Sequence, residues 1–425
     1  MTQARLRDDF PVWLQIGLLS FGGPAGQIAL MQRRLVDELG WIDSRRFLAG
    51  LQFCMLIPGP EAQQLATYIG WTRQGWRGAV MAGGLFVLPG ALLMLLLSLG
   101  YVYFGALPWT AALLLGLKCA VVVLIAQALW RLARRSLQDR ATRWVAALAF
   151  VAVHLLHWPF PAIMLVALGV AGWQSWRVPA PVIVSTPSPP APRSWPLGVA
   201  VLSAWALPIL LLHMFRGPND VLAGLGSSYA ELALLSFGGA YALLTHVADH
   251  AVQERHWLSQ TQMTDGLALA ETTPGPLILV LQFVAFVAAW QSVAGGSPAL
   301  GLIASLLALW VLFLPSFAWV IIGAPWIARV ESDPRYARAL AFVSAAAFAL
   351  ILHLGLWIAL HLLFAETTAL HLGPLRYDVP VPASLDVDAA AITALGFLML
   401  RFGGGRLLPL LAVCGGAGLV AALLR

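Results

Sequence analysis

An all-α polytopic membrane protein with two homologous halves is the fold class that the sequence predicts. Hydrophobic residues make up 60% of the 425 residues and charged residues only 10%, whereas soluble domains carry about 25% charged residues. Because so little charge cannot cover a surface in water, most of the surface must face lipid. Five stretches are apolar over about 20 residues, the length that spans a bilayer as a helix: Ala79–Phe104, Trp109–Trp130, Trp195–Phe215, Ala299–Gly323 and Ala337–Phe364.

The ionisable residues and cysteines agree with this class. The net charge is +6, almost all of the positive charge is arginine, and Lys118 is the only lysine. Short arginine clusters between apolar runs are typical of cytoplasmic loops, so we predict contact with a lipid bilayer and none with nucleic acid. Cys54, Cys119 and Cys414 lie inside apolar stretches, which favours small buried hydrophobic side chains over metal ligands.

Two copies of one sequence pattern lie 216 residues apart. Ser20–Gly23 has the sequence Ser-Phe-Gly-Gly and recurs at Ser236–Gly239, and Pro58-Gly59-Pro60 recurs at Pro274-Gly275-Pro276. Of the 41 positions from the first motif to the second, 12 are identical without a gap. Self-similarity at a fixed offset indicates a duplicated structural unit.

The offset grows further along the chain, and a linker separates the copies. Phe86–Pro89 resembles Leu312–Pro315 at an offset of 226, so the second copy has ten more residues (226 − 216) near Trp290–Pro298. Arg177–Pro196 contains seven prolines in twenty residues, and proline breaks helices because it lacks an amide donor. We therefore predict a first transporter repeat at 1–176, a linker at 177–196 and a second repeat at 197–425.

The distribution of arginine favours opposite orientations of the two repeats. Met31–Phe47 contains four arginines, whereas its counterpart Val247–Met263 contains one. If arginine-rich loops lie on the cytoplasmic side, the second repeat must enter the bilayer from the opposite face. The sequence thus predicts an inverted repeat, as in many secondary transporters. A parallel duplication with irregular loop charge is the alternative, and the number of spanning helices stays open.

Each repeat contains an apolar helix that is predicted to break at Pro-Gly-Pro. Pro58 and Pro60 interrupt Leu48–Trp71, and Pro274 and Pro276 occupy the same positions in the second repeat. Broken backbone inside a membrane is tolerated only where protein or water shields its polar groups. Pro60 fits the start of a new helix, whose positive end attracts anions. A kinked helix packed in the interior is the alternative.

The residues next to these breaks are candidates for an oxyanion site near the middle of the membrane. Amides at helix starts and uncharged side-chain donors suit such a ligand. Glycines let a ligand approach the backbone, although in membrane helices they also serve packing. The candidate substrate-binding residues are Gly22, Gly23, Gly59, Ala62, Gln63, Gln64, Lys118, Gly238, Gly239, Thr272, Thr273 and Gly275.

Three ionisable residues are candidates for charge-dependent steps. Lys118 lies in the middle of Trp109–Trp130, where a charge is costly and indicates function. We predict that it faces the interior, near the anion or a carboxylate such as Glu61. Glu61 follows the first break and Glu271 precedes the second. A carboxylate that is neutral only while the oxyanion is bound would couple transport to protons, whereas in the alternative Glu61 only complements the helix dipole.

Motifs for catalysis or ATP hydrolysis are not visible in the sequence. It contains no glycine-rich phosphate loop ending in Lys-Ser/Thr, no nucleophile elbow and no zincin motif. We therefore predict a protein that is not an enzyme and that has no cofactor and no bound metal. A membrane-embedded reductase is the alternative, and it would need a cofactor site.

The motifs resemble those of the chromate ion transporters, in the long form with two repeats. The resemblance covers most of the chain and is most specific just after Pro58. The sequence departs from the family pattern at Cys119, where the resemblance leads us to expect proline. The helix is therefore predicted to continue past Lys118. The matching runs are Ser20–Gln27, Cys54–Trp71, Phe86–Pro89, Gly116–Lys118, Ser236–Gly239, Thr272–Pro276 and Leu314–Pro315.

The resemblance implies a multi-pass protein of the bacterial inner membrane that exports chromate and confers chromate resistance. The expected driving force is an ion gradient, with the proton as the coupling ion. Chromate is a tetrahedral dianion close to sulfate in shape and charge, so a transporter of sulfate-like oxyanions remains an alternative, as does a passive oxyanion channel. A homodimer is compatible with the sequence.

Overall fold

The computed structural model describes residues 6–21, 23–156, 158, 160–176, 195–236, 244, 247–324, 334–372, 375–402 and 407–424. This part of the chain is almost entirely helical, apart from one two-stranded antiparallel sheet. The predicted proline-rich linker lies outside the described residues except for its last two, which begin a helix.

The first half forms helices that begin at recognisable capping residues. The side chain of Asp43 accepts the amide of Arg46, and Asp139 and Thr142 form a capping box; both arrangements satisfy amides that have no partner within the helix. A π-helical segment, Gln32–Glu38, continues the second helix. The helices are α1 (Leu6–Leu19), α2 (Gly23–Met31), α3 (Ser44–Cys54), α4 (Glu61–Phe104), α5 (Pro108–Ser136), α6 (Arg140–His154) and α7 (Phe160–Trp176).

Helices of the second half also begin at capping residues, and this half contains a small sheet as well. Asp220 and Ser297 accept amides at the starts of two helices. Its helices are α8 (Trp195–Arg216), α9 (Val221–Leu235), a π-helical segment (Asp249–Glu254), α10 (Gln260–Thr272), a 3₁₀ turn (Leu277–Leu279), α11 (Val280–Gln291), α12 (Pro298–Gly323), α13 (Pro334–Leu363), a second 3₁₀ turn (Pro382–Ser384), α14 (Val387–Phe402) and α15 (Leu407–Leu423). Strands β1 (Thr367–Leu372) and β2 (Leu375–Pro380) pair between α13 and α14.

Five helices of the described chain are long and apolar enough to cross a membrane. They contain the stretches Glu61–Phe104, Pro108–Arg134, Trp195–Arg216, Pro298–Gly323 and Ala341–Leu363, which coincide with the five spans predicted from the sequence. Large apolar side chains on them are exposed, among them Leu96, Leu210 and Phe215. Exposed apolar surface of this extent requires lipid, so the all-α polytopic membrane class is confirmed.

Both Pro-Gly-Pro segments separate two helices, as predicted. α3 ends at Cys54 and α4 begins at Glu61, while α10 ends at Thr272 and the next helical turn begins at Leu277. Gly59 has a φ of 129° and Gly275 a φ of 98°. Side chains disfavour this region of backbone space, so glycine permits each break. The alternative of a merely kinked helix is wrong.

Helix α4 folds back on itself at Gln74 and Gly75. Both residues leave the helical region, and Gly75 has a φ of 62°. Gly70 and Gly78 then meet backbone to backbone, since a Cβ on either would overlap the carbonyl oxygen of the other. In a straight helix, residues eight apart would be about 12 Å apart along the axis. The two arms of α4 therefore form an antiparallel pair.

The extra residues of the second repeat fall at the equivalent bend. Gln291 matches Gly75 at the offset of 216, and the loop 292–297 between α11 and α12 replaces the tight turn. A Cβ at Gly301 would meet the ring of Phe286, so α11 and α12 also pair. The longer loop therefore joins the same two-helix arrangement.

The described chain divides into two compact units, each containing segments of both halves. The first is Met1–Leu96, Gly169–Ala240 and Thr273–Leu340, and within it α12 packs against α8, α9 and α11. The second is Leu97–Leu168, Tyr241–Thr272 and Ala341–Arg425, and within it α5 packs against α10, α14 and α15. The repeat boundaries predicted from the sequence follow the chain rather than these units and stay a prediction.

A buried ion pair in the first unit fixes the bend of α4 to α1. Arg73 Nε and Nη2 donate to the Asp9 carboxylate at 2.8 and 2.9 Å, and Gln74 Nε2 donates to it at 2.8 Å. The Arg73 guanidinium also lies 3.7 Å from the centre of the Trp41 ring. Asp9 is only 3% exposed, so its charge depends on these donors.

Replacing Asp9 with asparagine is expected to lower the free energy of unfolding by about 3 kcal/mol, because Arg73 would keep a buried charge without its carboxylate. Thermal unfolding in detergent measures the loss. Asp220→Asn is the control, since Asp220 pairs with the exposed Arg216, asparagine is an equally good helix cap, and surface pairs contribute below about 1 kcal/mol. Equal losses in both variants would contradict the special role of the buried pair.

Candidate functional site

Each Pro-Gly-Pro loop forms a hydrogen bond, within the first unit, with the serine that begins the Ser-Phe-Gly-Gly motif of the other repeat. The amide of Gly59 donates to the carbonyl of Ser236 at 3.0 Å, and the amide of Gly275 donates to the carbonyl of Ser20 at 2.8 Å. Both pairs of equivalent residues differ by 216 positions, so the two hydrogen bonds are reciprocal. The loops satisfy backbone groups across the repeats that a broken helix cannot satisfy internally.

The loops also rest on the long helices of the opposite repeat. A Cβ on Gly59 would overlap the hydroxyl oxygen of Ser316 on α12, and a Cβ on Gly90 of α4 would overlap the carbonyl oxygen of Pro274. Ser316 and Gly90 are equivalent at the offset of 226. The reciprocity therefore extends from the loop backbone to the helices that support it.

A helix N-terminus opens directly onto the first loop. The amide of Gln64 donates to the carbonyl of Pro60 at 2.9 Å, which is the first hydrogen bond of α4. The amides of Ala62 and Gln63 precede this bond and have no acceptor within the helix. Together with the helix dipole they give this end a partial positive charge. Ala62 is buried, so the positive end is shielded from bulk solvent.

Two buried glutamines flank this helix end. Gln64 Nε2 donates to the carbonyl of Pro58 at 2.7 Å, and Gln63 Nε2 donates to the hydroxyl of Thr67 at 3.1 Å. Gln64, which the sequence suggested as a donor to an oxyanion, thus also supports the loop. The Oε1 atoms of both glutamines are buried and have no partner. Each Nε2 carries a second N–H, so each side chain can donate to a ligand while it keeps its present hydrogen bond.

Further polar side chains in the first unit are buried beside the loops. Gln27 Nε2 donates to the carbonyls of Ser20 and Gly275, at 3.2 and 2.6 Å, and Gln282 Nε2 donates to Ala91 at 3.0 Å. Buried polar atoms without partners are rare and costly, so several around one pair of loops indicate a site for a polar ligand or water. The unpartnered atoms are the Oε1 atoms of Gln27, Gln63, Gln64 and Gln282 and the Oγ of Ser316.

A separate charged cluster lies inside the second unit. Lys118 Nζ of α5 is 3.0 Å from Oδ1 of Asp265 on α10, and the Tyr101 hydroxyl of α4 donates to Oδ2 at 2.8 Å. The side chains of Lys118 and Asp265 are 15% and 7% exposed. Lys118 therefore faces the interior, and its carboxylate partner is Asp265 rather than the expected Glu61. α5 runs through Cys119 without a break.

The remaining predicted residues lie near one or other feature, or outside the described part. Glu61 is the first residue of α4. Glu271 and Thr272 end α10, seven residues or fewer after Asp265, and the Thr272 hydroxyl donates to Leu269 at 2.7 Å. Thr273 is buried. Gly23 begins α2 with a φ of 68°, while Gly22, Gly238 and Gly239 lie outside the described residues.

The sequence contained signals for the residues that were missed. Asp265 is a carboxylate followed directly by the apolar run 266–270, and an ionisable residue in such a setting indicates function in a membrane protein. Gln27 lies within the Ser20–Gln27 run, and Ser316 directly follows Pro315 of a repeated motif. Gln282 has no comparable marker, because its importance arises from contacts with the opposite repeat.

A family model described as "Chromate transporter" matches residues 8–173 and 223–421, one region in each half. The chain belongs to the chromate transporter family. The two matched regions and the shared motifs establish two homologous halves, and the long apolar helices make this transporter a multi-pass membrane protein.

Several proteins resemble this chromate transporter family member in sequence. It is 30% identical over 349 residues to a chromate transport protein of Cupriavidus metallidurans, covering 81% of this chain and 80% of that protein. It is 35% identical over 356 residues to a chromate transport protein of Pseudomonas aeruginosa, covering 80% and 78%. These relatives are named as transport proteins rather than enzymes.

A shorter relative supports the duplication. An uncharacterized transporter of Bacillus subtilis is 26% identical over 147 residues, which is 82% of that protein but 35% of this chain. That protein is thus about one repeat long. No solved structure matches the chain.

Proposed function

We propose that this family member exports chromate from the bacterial cytoplasm across the inner membrane and thereby confers chromate resistance. The proposal adds substrate, direction and driving force to the family membership. The reciprocal contacts of the two Pro-Gly-Pro loops carry it, because they bring a positive helix end and buried polar groups together. The names of the Cupriavidus and Pseudomonas relatives support chromate as the substrate.

The oxyanion would bind at the N-terminus of α4. The amides of Ala62 and Gln63 would donate to it, as amides at helix starts do to phosphate and sulfate. Gln64 and Ser316 would add uncharged donors beside Gly59, since both side chains lie where a side chain at position 59 would begin. Sulfate has the same shape and charge as chromate, so we expect it to compete for the same donors.

The other predicted residues would complete binding or gating. Thr273 and Gly275 belong to the second loop, and Gly23 begins the helix after the first Ser-Phe-Gly-Gly segment. Gly22, Gly238, Gly239, Thr272 and Lys118 remain predicted substrate-binding residues. A binding role for Lys118 would require it to leave or share its ion pair with Asp265.

Two equivalent loops suit alternating access in an inverted repeat. In such transporters the substrate binds where discontinuous helices of both repeats meet, and rocking of one repeat against the other opens each side in turn. The asymmetric arginine distribution supports the inversion. In the change from the inward-open to the outward-open state, the bond from Gly59 to Ser236 would then take over the role of the bond from Gly275 to Ser20. The reverse change would restore the original roles.

Chromate transport into everted vesicles tests the proposal. Vesicles containing this protein should accumulate chromate only when a proton gradient is imposed, and sulfate should reduce the accumulation by competition. Vesicles without the protein are the control. Chromate entry that only equilibrates, with or without the proton gradient, would instead identify a passive oxyanion channel, and no chromate movement at all would refute the proposed substrate.

Glu61→Gln is expected to retain chromate exchange but to lose most of its gradient-driven accumulation, by about tenfold. Glu61 occupies the first turn of α4, where its charge would oppose an oxyanion at the adjacent amides, so its protonation would accompany binding. Radiolabelled exchange and accumulation in the same vesicles measure the two activities. Glu271→Gln is the parallel variant for the second coupling candidate, and normal accumulation in either would remove that residue from the mechanism.

A further inference from the structure

We infer that Asp265, which forms an ion pair with Lys118 and a hydrogen bond with Tyr101, is a proton-binding carboxylate of the transport cycle. The inference rests on the proposed proton coupling but names a residue outside the loops. It follows from the position of the three side chains within the second unit. It also follows from the helix that carries Asp265, since α10 leads directly into the second Pro-Gly-Pro loop.

Each oxygen of the carboxylate has one close partner. Oδ2 accepts the hydroxyl of Tyr101 at 2.8 Å. Oδ1 lies 3.0 Å from Lys118 Nζ as an ion pair, but no aligned hydrogen bond reaches it. A proton from water that attaches to Oδ1 converts the carboxylate to the acid and replaces the ion pair with Lys118, while the hydrogen bond on Oδ2 is unchanged.

Protonation would change the cluster's net charge from zero to +1. Among the described residues, the charged or titratable groups that face Asp265 are Lys118 from α5 and Tyr101 from α4, with Glu271 further along α10 itself. The ion pair holds α10 against α5, and a neutral Asp265 gives up this electrostatic attachment. A buried pair that loses one charge is strongly weakened, so the proton switches α10 between an attached and a released state.

The released helix is continuous with the loop that the proposed site uses. Thr272, the last residue of α10, is the seventh residue after Asp265, and Pro274 follows two residues later. Attachment of α10 therefore constrains the chain that enters the second loop. This covalent route lets a proton in the second unit bias the loop that bonds to Ser20.

The matching position of the first repeat is Ala49 (265 − 216). The carboxylate is therefore present in one repeat only. This is expected of a coupling group that acts on one of two otherwise equivalent loops.

Asp265→Asn is expected to lose gradient-driven chromate accumulation by about tenfold or more, while chromate exchange without a gradient persists. Infrared difference spectra on acidification should also lose a carboxylic acid band that the unmodified protein shows. Asp9→Asn is the matched control, because it makes the same substitution in another buried ion pair. Per amount of folded protein, it should keep both the accumulation and the band.

Tyr101→Phe and Asp265→Glu keep the test decisive if asparagine at 265 prevents folding. Tyr101→Phe removes a donor to the charged carboxylate, so the midpoint of the pH profile should rise by about one unit. Asp265→Glu should restore gradient-driven accumulation. An unchanged pH profile in Tyr101→Phe, or full accumulation in Asp265→Asn, would overturn the inference. A band that depends on Asp265 in a protein that moves no chromate would instead refute the proposed function and leave the proton site standing.

Discussion

Gly90→Ala is expected to reduce chromate transport by about tenfold or more and to destabilise the protein by about 3 kcal/mol. The added Cβ would overlap the carbonyl oxygen of Pro274, and overpacking of this kind costs up to about 3 kcal/mol when the neighbour cannot move. The neighbour here is backbone of the second loop, which its hydrogen bond to Ser20 holds in place. Transport in vesicles and thermal unfolding measure the two effects.

Gly84→Ala provides the control on the same arm of α4. A Cβ at Gly84 meets nothing within 4 Å, and alanine stabilises a helix relative to glycine by up to about 1 kcal/mol. We therefore expect this variant to transport normally and to be equally or more stable. If both variants lose transport equally, the loss comes from the helix in general and not from the contact with Pro274.

Gly59→Ala is expected to abolish transport through two independent effects. The φ of 129° at Gly59 disfavours any side chain, at a cost of about 1–3 kcal/mol. In addition, the new Cβ would overlap Gln64 Nε2 and Ser316 Oγ, which are two of the proposed ligand-binding groups. The variant should therefore lose chromate binding even where it still folds, and isothermal titration in detergent separates binding from the amount of folded protein.

Gly295→Ala separates backbone strain from the clash. Gly295 has a φ of 81° in the loop between α11 and α12, and a Cβ there meets nothing within 4 Å. Alanine at this position carries the conformational cost alone, so we expect a small loss of stability and normal chromate binding. Chromate binding by Gly59→Ala at the level of Gly295→Ala would show that the first loop does not contact the ligand.

Substitutions in the proposed binding site and in the proposed proton switch should impair different transport activities. Gly59 and Gly90 support the loops of the first unit, so their replacement should impair exchange and accumulation together. Asp265 lies in the second unit, so its replacement should impair accumulation alone. The ratio of the two activities therefore distinguishes damage to the binding loops from damage to the coupling.

Local signals in the sequence were enough to predict the secondary structure that matters. The five apolar stretches became long helices because their length and composition leave no other way to satisfy the backbone in lipid. The breaks at Pro58–Pro60 and Pro274–Pro276 followed from the missing amide N–H of proline and the backbone freedom of glycine. The extra residues at Trp290–Pro298 were located correctly because the repeat fixed the register on both sides.

The site was predicted only in part, because a single sequence contains little information on contacts between residues that are far apart in the chain. The sequence placed Lys118 in the middle of a helix, near the anion or a carboxylate such as Glu61, and the structure pairs it with Asp265. Helical periodicity gives the face on which a side chain lies but not the helix that this face meets. Gln63 and Gln64 were identified beside the loop, yet the bond from Gln64 to the carbonyl of Pro58 depends on the folded loop.

The sequence by itself determined that the chain is a duplicated, helical membrane protein with a break at the same place in each half. These properties depend on composition, on the absence of an amide N–H in proline and on residues that are close together in the chain. Only the tertiary structure decided that the Gly59 amide bonds to Ser236 and that of Gly275 to Ser20. Such partners are far apart in the chain, and a buried backbone group can be satisfied by any acceptor that packing brings within reach.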